Sequence, residues 1–174
     1  MAEPMTFEIE PLGEKPARLQ VEHLVAMMQR MYDYHATLHS DWQTKPNWQQ
    51  GSAGWIRRAA GGSEFFFALV YASSSNPGSA GSLRQPAGYV IASFHYEAPL
   101  FIQHRYGYIA DLWVEEAYRR QGAARALLAA AHSWCTDQGV SRMQIEVDVE
   151  NKAGLKFWQA VGYHPFEIVL RRDI

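Results

Sequence analysis

Strand and helix signals follow one another in the order β α α β β β α β α β. This predicts an α/β (α+β) fold, a single mixed, mostly antiparallel sheet of six to seven strands flanked by helices. Three observations carry the prediction. The stretches EFFFALVYA (64–72) and AGYVIASFHYE (87–97) are dense apolar runs with the length and aromatic content of buried strands. A strand, polar turn and long helix over 108–138 are followed by the alternating segment 141–149, the pattern of two parallel strands joined by a crossover helix. Leu24, Val25, Met28, Met31 and Tyr32 recur at helical intervals within 17–38.

Taken in order, Met5–Glu10 alternates around Phe7 and Ile9 as a first strand, and Pro11, Gly13 and Pro16 end it. The amphipathic helix of 17–38 follows, with a break expected near His35, and Met27, Met28 and Met31 read as core packing. The tryptophan-bearing segment 40–62 (Trp42, Trp48, Trp55) contains a second helix over 47–59. Residues 73–85, SSSNPGSAGSLRQ, are rich in Ser and Gly without periodicity and read as a flexible surface loop between the second and third strands. The long helix closes near Gln138, where Gly139 suits a left-handed residue. Met143, Ile145, Val147 and Val149 alternate with polar residues in the fifth strand, and Asn151 is placed to cap a short helix over 152–161. Gly162 ends that helix, and alternation of Phe166, Ile168 and Leu170 predicts a last strand over 163–171.

A chain of 174 residues, 48% hydrophobic and 20% charged, has enough sequence for one domain with a full core and is not compositionally disordered. A formal charge of −2 provides no field for a polyanion, so nucleic acid is not an expected partner. The amino terminus lacks a basic segment followed by an apolar run, and 65–72 is far shorter than the ~20 residues needed to span a bilayer. A soluble, cytoplasmic protein is therefore expected. Cys135, the only cysteine, has no internal disulfide partner and lies on the apolar side of the long helix as a small core residue. His35 and His39 stand four apart, but no further ligands complete a metal set, and none is expected.

The informative stretch is Arg119-Arg120-Gln121-Gly122-Ala123-Ala124-Arg125, the turn into the long helix. The first amides of a helix lack intrahelical partners and sit at the positive end of its dipole, which favours an anion. Gly122 and Ala124 leave room for close approach, while Arg119, Arg120 and Arg125 bring charge suited to phosphate oxygens. With the strand ending in Val114, this spacing resembles the acyl-CoA signature R/Q-x-x-G-x-G/A of the GNAT acetyltransferase superfamily. A second stretch, Asn151, Gly154, Phe157-Trp158 and Gly162-Tyr163, resembles the family segment N-x-x-A-x-x-l-Y-x-x-x-G-F, with Gly154 for Ala, Trp158 for Tyr and Tyr163 for Phe.

The resemblance implies transfer of an acetyl group from acetyl-CoA to a primary amine, a small molecule or a peptide amino terminus, in a ternary complex. It also implies two parallel central strands that splay apart to admit the pantetheine arm. On that reading the backbone of Leu112, Trp113 and Val114 holds the arm, the amides and side chains of Arg119, Arg120, Gln121, Gly122, Ala123, Ala124 and Arg125 hold the pyrophosphate, and Phe157 and Trp158 pack near the thioester. Asn151 contacts the arm or caps its helix. The segment covering the acceptor pocket makes Tyr34, His35, His39 and Trp42 substrate candidates, with ordinary packing as the other reading. Homodimers are frequent among relatives.

The proton carriers depart from the family pattern. Trp158 replaces the tyrosine that commonly protonates the thiolate, and an indole N–H is not a useful proton source. No glutamate stands at Tyr108 or Ala110, where relatives often carry a base. Asp111 lies in DLWV, similar to the DLyV of small-amine acetyltransferases, and is either catalytic or structural; simple alternation places it on the face opposite Tyr108 and Ala110. Tyr108 is the candidate acid, and His95, Tyr96, Glu97, Glu146 and Asp148 are further proton carriers. The missing counterparts leave a second function open, a non-catalytic acyl-CoA-binding module.

Overall fold

The computed structural model describes residues 5–74, 84–102 and 104–172. One five-stranded sheet runs in the order β1-β2-β3-β4-β5: β1 Met5–Pro11, β2 Phe65–Ser74, β3 Gln85–Tyr96, β4 Arg105–Val114 and β5 Met143–Gln144. The first four strands pair antiparallel and β5 joins β4 in parallel. Helices α1 (Arg18–Leu38) and α2 (Trp48–Ala59) lie on one face, and α3 (Ala123–Asp137) and α4 (Lys152–Ala160) lie on the other. The mixed, mostly antiparallel sheet expected from the sequence is present.

Two apolar layers form because successive strand residues point to opposite faces. Phe67, Leu69, Tyr71, Tyr89 and Ile91 meet Val21, Leu24, Met27, Met28 and Met31 of α1 and Ile56 of α2. Ala68, Val70, Val90, Ala92 and Ile109 meet Leu127, Leu128 and Ala131 of α3 and Trp158 of α4. The methionines are core residues, and Cys135 is buried at 3% exposure. Helix α1 runs unbroken to Leu38 instead of breaking at His35, since nothing in its i→i−4 ladder is interrupted there. At its start the Gln20 Oε1 accepts the Ala17 N–H at 2.7 Å.

The strand count differs from the expected six to seven. The fifth strand is two residues long rather than the whole of 141–149, and 163–171 joins no sheet. The cause lies in β4. Between Ile91↔Asp111 and Ala92↔Ile109 the register shifts, so Ala110 is an extra, bulged residue. A bulge disrupts the ladder on its strand, and the β4–β5 pairing stops just before it, at Tyr108↔Gln144. With β5 so short, its outer edge provides no ladder for 163–171, and Phe166, Ile168 and Leu170 stand 68%, 85% and 89% exposed. Alternation records which residues can share a face; a strand also requires a partner. The parallel pair accordingly lies at the sheet's edge and not at its centre.

The expected loop 73–85 is trimmed at both ends, because Ser73 and Ser74 complete β2 and Gln85 opens β3. Residues 75–83 lie outside the described residues. No helix among the described residues is long and apolar enough to cross a membrane.

The tight contact between β3 and β4 supplies a test of this register. A Cβ on Gly88 would come 2.4 Å from the Trp113 carbonyl oxygen, a backbone atom that cannot give way without parting the strands. Gly88→Ala is expected to destabilise the protein by roughly 1–3 kcal/mol in urea unfolding. Gly13→Ala, with no atom within 4 Å of the added carbon, should change stability by less than about 0.5 kcal/mol.

Candidate active site

The site begins where β4 and β5 part. Pairing covers only Gly107↔Met143 and Tyr108↔Gln144, so among the described residues no strand lies against the β5 side of β4 from Ile109 to Val114. Ala110, at the bulge of this inner strand, is exposed. An unpaired strand edge offers N–H and C=O groups to an extended ligand. Leu112 and Trp113 lie on this open stretch. The Val114 carbonyl is taken, since it accepts the Arg119 Nε–H at 2.9 Å.

Helix α3 starts beside that edge. Gly122 is its N-cap at φ 101, no side chain caps it, and no acidic residue stands in its first turn. Among the described residues no hydrogen bond occupies the amides of Gln121 through Arg125, and the first intrahelical bond is Ala126 N–H to Gly122 carbonyl at 3.0 Å. Arg120 takes the left-handed φ of 64, which a residue with a Cβ adopts at a cost. Arg120 and Gly122, on either side of Gln121, both take left-handed φ, and the amides from 121 to 125 that follow this turn have no partner among the described residues. A Cβ on Gly122 would meet nothing within 4 Å. These features fit the diphosphate of a CoA ester.

The three arginines of the turn differ. Arg119 lies over the Trp113 ring at 4.7 Å, and with its bond to Val114 it clamps the turn to the end of β4. Arg125 donates to the Ala160 carbonyl of α4 at 3.4 Å. Arg120 makes no hydrogen bond or ion pair among the described residues, so its guanidinium is the uncommitted one.

On the α1 side, the bulge corrects the alternation expected in β4. Ile91 and Ser93 are two apart on β3 and share a face, and their partners are Asp111 and Tyr108. Asp111 and Tyr108 therefore face the same way, toward α1, three residues apart because Ala110 is extra. Tyr108 stacks on His95 with centroids 4.3 Å apart. Burial, then the charges of Glu146, Tyr106 and Asp111, push its hydroxyl up to about 12, so it remains protonated at neutral pH. Asp111 accepts hydrogen bonds from the Tyr32 and Tyr89 hydroxyls, each 3.4 Å from Oδ2. Some of the residue's surface still meets solvent, but the carboxyl lies almost wholly among protein atoms, and that local packing governs its proton affinity. Burial pushes the carboxyl up to about 6, against the opposing effect of the two hydroxyls.

Tyr34, His35 and Trp42 gather at the mouth of the cleft. Tyr34 donates to Asn151 Oδ1 at 3.2 Å, and the Trp42 indole donates to Asp148 Oδ2 at 2.9 Å, so α1 and the turn after it are tied to the chain beyond β5. The His35 ring lies 5.6 Å from Tyr34 and 6.0 Å from Trp42, and burial lowers its proton affinity. His39 instead accepts the Asp41 N–H at 3.2 Å and caps the 3-10 turn Ser40–Trp42. Asn151 does cap α4, accepting the Gly154 N–H at 2.9 Å. A Cβ on Gly154 would lie 2.7 Å from Asn151 Nδ2, so a larger residue there would press on the capping side chain. Phe157 packs edge to face on Trp158 at 5.1 Å, and Trp158 is 8% exposed in the α3-side core.

Sequence reasoning did not reach Tyr32 and Tyr89, whose spacing reads only as core aromatics. It named Asp148 without its partner. Met143, Ile145 and Val147 pack toward α3, so Glu146 and Asp148 fall on the acceptor side, a signal present in the alternation.

A model of the Acetyltransferase (GNAT) family matches residues 27–163. The chain belongs to the GNAT acetyltransferase family. It is 31% identical over 65 residues to N-alpha-acetyltransferase 30 of Schizosaccharomyces pombe, covering 37% of this chain and 43% of the relative. It is 30% identical over 63 residues to aminoglycoside N(6')-acetyltransferase type 1 of Salmonella typhimurium, covering 36% and 43%. The matches thus span less than half the length of these curated relatives. Among solved structures, AAC(6')-Iy in complex with the bisubstrate analog CoA-S-monomethyl-acetylneamine shares the fold at TM-score 0.68 and 18% identity, over 97% of this chain and 98% of that one.

A GNAT fold that buries a carboxylate in this way loses stability as that group ionises. The folded-state value of Asp111, about 6, lies above the 3.8 of a free carboxyl. The folded protein therefore binds the proton more tightly, and stability contributed by the protonated group is lost as pH rises from about 4 to 6. Asp111→Asn is expected to raise unfolding free energy by on the order of 2 kcal/mol at pH 8 relative to its effect at pH 4, read from urea curves at both pH values.

Proposed function

We propose that this chain is an acetyl-CoA-dependent N-acetyltransferase, one catalytic domain over residues 1–174, that acts on a primary amine. The observation that carries the reading is the row of unoccupied amides at 121–125 beside the unpaired edge of β4. In it, Arg120 and the amides of 121–125 hold the diphosphate of CoA, with Arg119 and Arg125 flanking them. The Leu112 backbone and the Val114 N–H hold the arm on the open edge, with Trp113 between them turning its own N–H and carbonyl toward β3, as the Glu115 N–H to Ala87 carbonyl bond two residues on requires. Asn151 and Phe157 line its far side, and Trp158 supports Phe157 from the core. When bound, acetyl-CoA supplies the acetyl group as an activated thioester.

The acceptor enters from the α1 side, bounded by Tyr34, His35 and Trp42, with His39 holding the turn that carries Trp42. Direct attack needs a neutral amine, and Asp111 takes the proton from the arriving ammonium. A carboxyl near 6 is largely ionised at neutral pH yet basic enough to accept that proton. Tyr108, protonated and on the same face, gives its proton to the sulfur as the C–S bond breaks and regains one from the nitrogen that has bonded to the acetyl carbon, so that the one net proton released is the one on Asp111. Glu146 and Asp148 make this side acidic, which favours a cationic amine over an acidic peptide. The names of the relatives, an Nα-acetyltransferase and an aminoglycoside acetyltransferase, point to amines of both kinds, and the acidic wall favours the small polycationic class. The small net charge suits a cytoplasmic enzyme with neither nucleic acid nor membrane as partner.

The decisive assay is thiol release from acetyl-CoA across a panel of polyamines, aminoglycosides, amino acids and peptides. Amine-dependent release is expected for at least one cationic member, with kcat/KM falling as pH drops through about 6. Acetyl-CoA binding without turnover on any amine would instead identify a non-catalytic binding module. Arg120→Glu and Gly122→Glu should each weaken acetyl-CoA binding at least about 100-fold by calorimetry while the circular dichroism spectrum stays native. Unchanged affinity in both variants would remove the pyrophosphate from this turn.

A further inference from the structure

The two tyrosines around Asp111 belong to different elements and reach the same atom. Tyr32 projects from α1, its ring held edge to face against Trp48 of α2 at 5.0 Å. Tyr89 projects from the middle of β3, with no surface exposed, opposite Trp113 of β4. Both hydroxyls lie 3.4 Å from Asp111 Oδ2, and Oδ1 has no hydrogen-bond partner among the described residues. Tyr89 also lies 3.4 Å from the Met31 sulfur, a weak acceptor that leaves the carboxylate as its principal partner.

We propose that Tyr32 and Tyr89 are positioning residues that tether Asp111 through Oδ2, so that Oδ1 is presented to the acceptor ammonium and the charged carboxylate persists inside the sheet. The proposal rests on Asp111 being the base. Its chemistry follows from the donor inventory. A phenol has one O–H to give, and two such donors on one oxygen favour the anion over the acid, while the second oxygen keeps its lone pairs for a proton. Both tyrosines stay protonated at working pH, because burial and the neighbouring carboxylate raise them, so they donate throughout. Among the described residues the other groups around the site do not supply a competing cation. Tyr108 on β4 couples to Asp111 through charge, Glu115 beyond the strand end couples to Tyr89, and Arg30 of α1 is engaged with Glu115 at 2.7 Å.

The tether makes a prediction that packing alone does not. Tyr→Phe retains the ring and removes only the donor. In Tyr32→Phe and in Tyr89→Phe the acidic limb of kcat/KM should move to higher pH by roughly 0.5–1 unit, and further in the double variant. The position of the limb is independent of how much enzyme is active, so partial loss of folded protein does not obscure it. Tyr32 is only half-buried, and its variant preserves the test should the one at fully buried Tyr89 fold poorly. If the wild-type limb disappears in Asp111→Asn but is unmoved in both tyrosine variants, the base stands and the tether is overturned. If Asp111→Asn keeps the wild-type rate and limb, the base reading fails and the tether with it.

Discussion

A single extra residue in β4 governs the architecture of this molecule. Ala110 interrupts the ladder, so β5 can follow β4 for only two residue pairs before the two chains part. Everything assigned to function lies along the gap that results. The open edge of β4 forms one wall, the unoccupied start of α3 closes one end, and the chain from Glu146 to Asn151 forms the other wall. Hydrogen-bonding groups on an inner strand are ordinarily consumed by the sheet. Here the bulge keeps a row of them available to a ligand.

The same residue decides which side chains meet. Without it Tyr108 and Asp111 would point to opposite layers; with it both face α1, where Tyr32 and Tyr89 converge on the carboxylate. A buried carboxylate held by two neutral donors and, among the described residues, no cation is a poor investment in stability, and sites of this kind are where a fold gives up stability for chemistry. By contrast, the arginine clamp at Arg119 and the Asn151 cap are conservative devices that hold the two ends of the cleft.

How far the sequence reveals this depends on the range of the interaction. Helix α3 and its glycine N-cap, Asn151 before α4, and the closing turns at Gly139 and Gly162 depend on local chemistry, and all four were readable within a few residues. The burial of Met28 and Met31 followed from helical period, and that of Met27 from its side-chain character beside them. The bulge left no such trace, because YIADLWV alternates well enough to pass for an uninterrupted strand. That one omission produced both errors of face and errors of extent: Asp111 on the wrong side, β5 too long, and 163–171 counted as a strand although no edge receives it. Tyr32 and Tyr89 are equally mute in sequence, since an aromatic at a core position looks the same whether or not its hydroxyl has work. Of the proposed substrate residues, Tyr34, His35 and Trp42 do converge at the mouth, whereas the His39 ring is engaged by its own turn.

The central claim is that main-chain amides of an open strand edge and a helix start receive the CoA ester. Amide hydrogen exchange with and without acetyl-CoA tests it at the atoms concerned. Exchange should slow at residues 112–114 and 121–125 together, with little change along β1 and β2. Saturating acetyl-CoA that leaves both segments exchanging as in the free protein would contradict it.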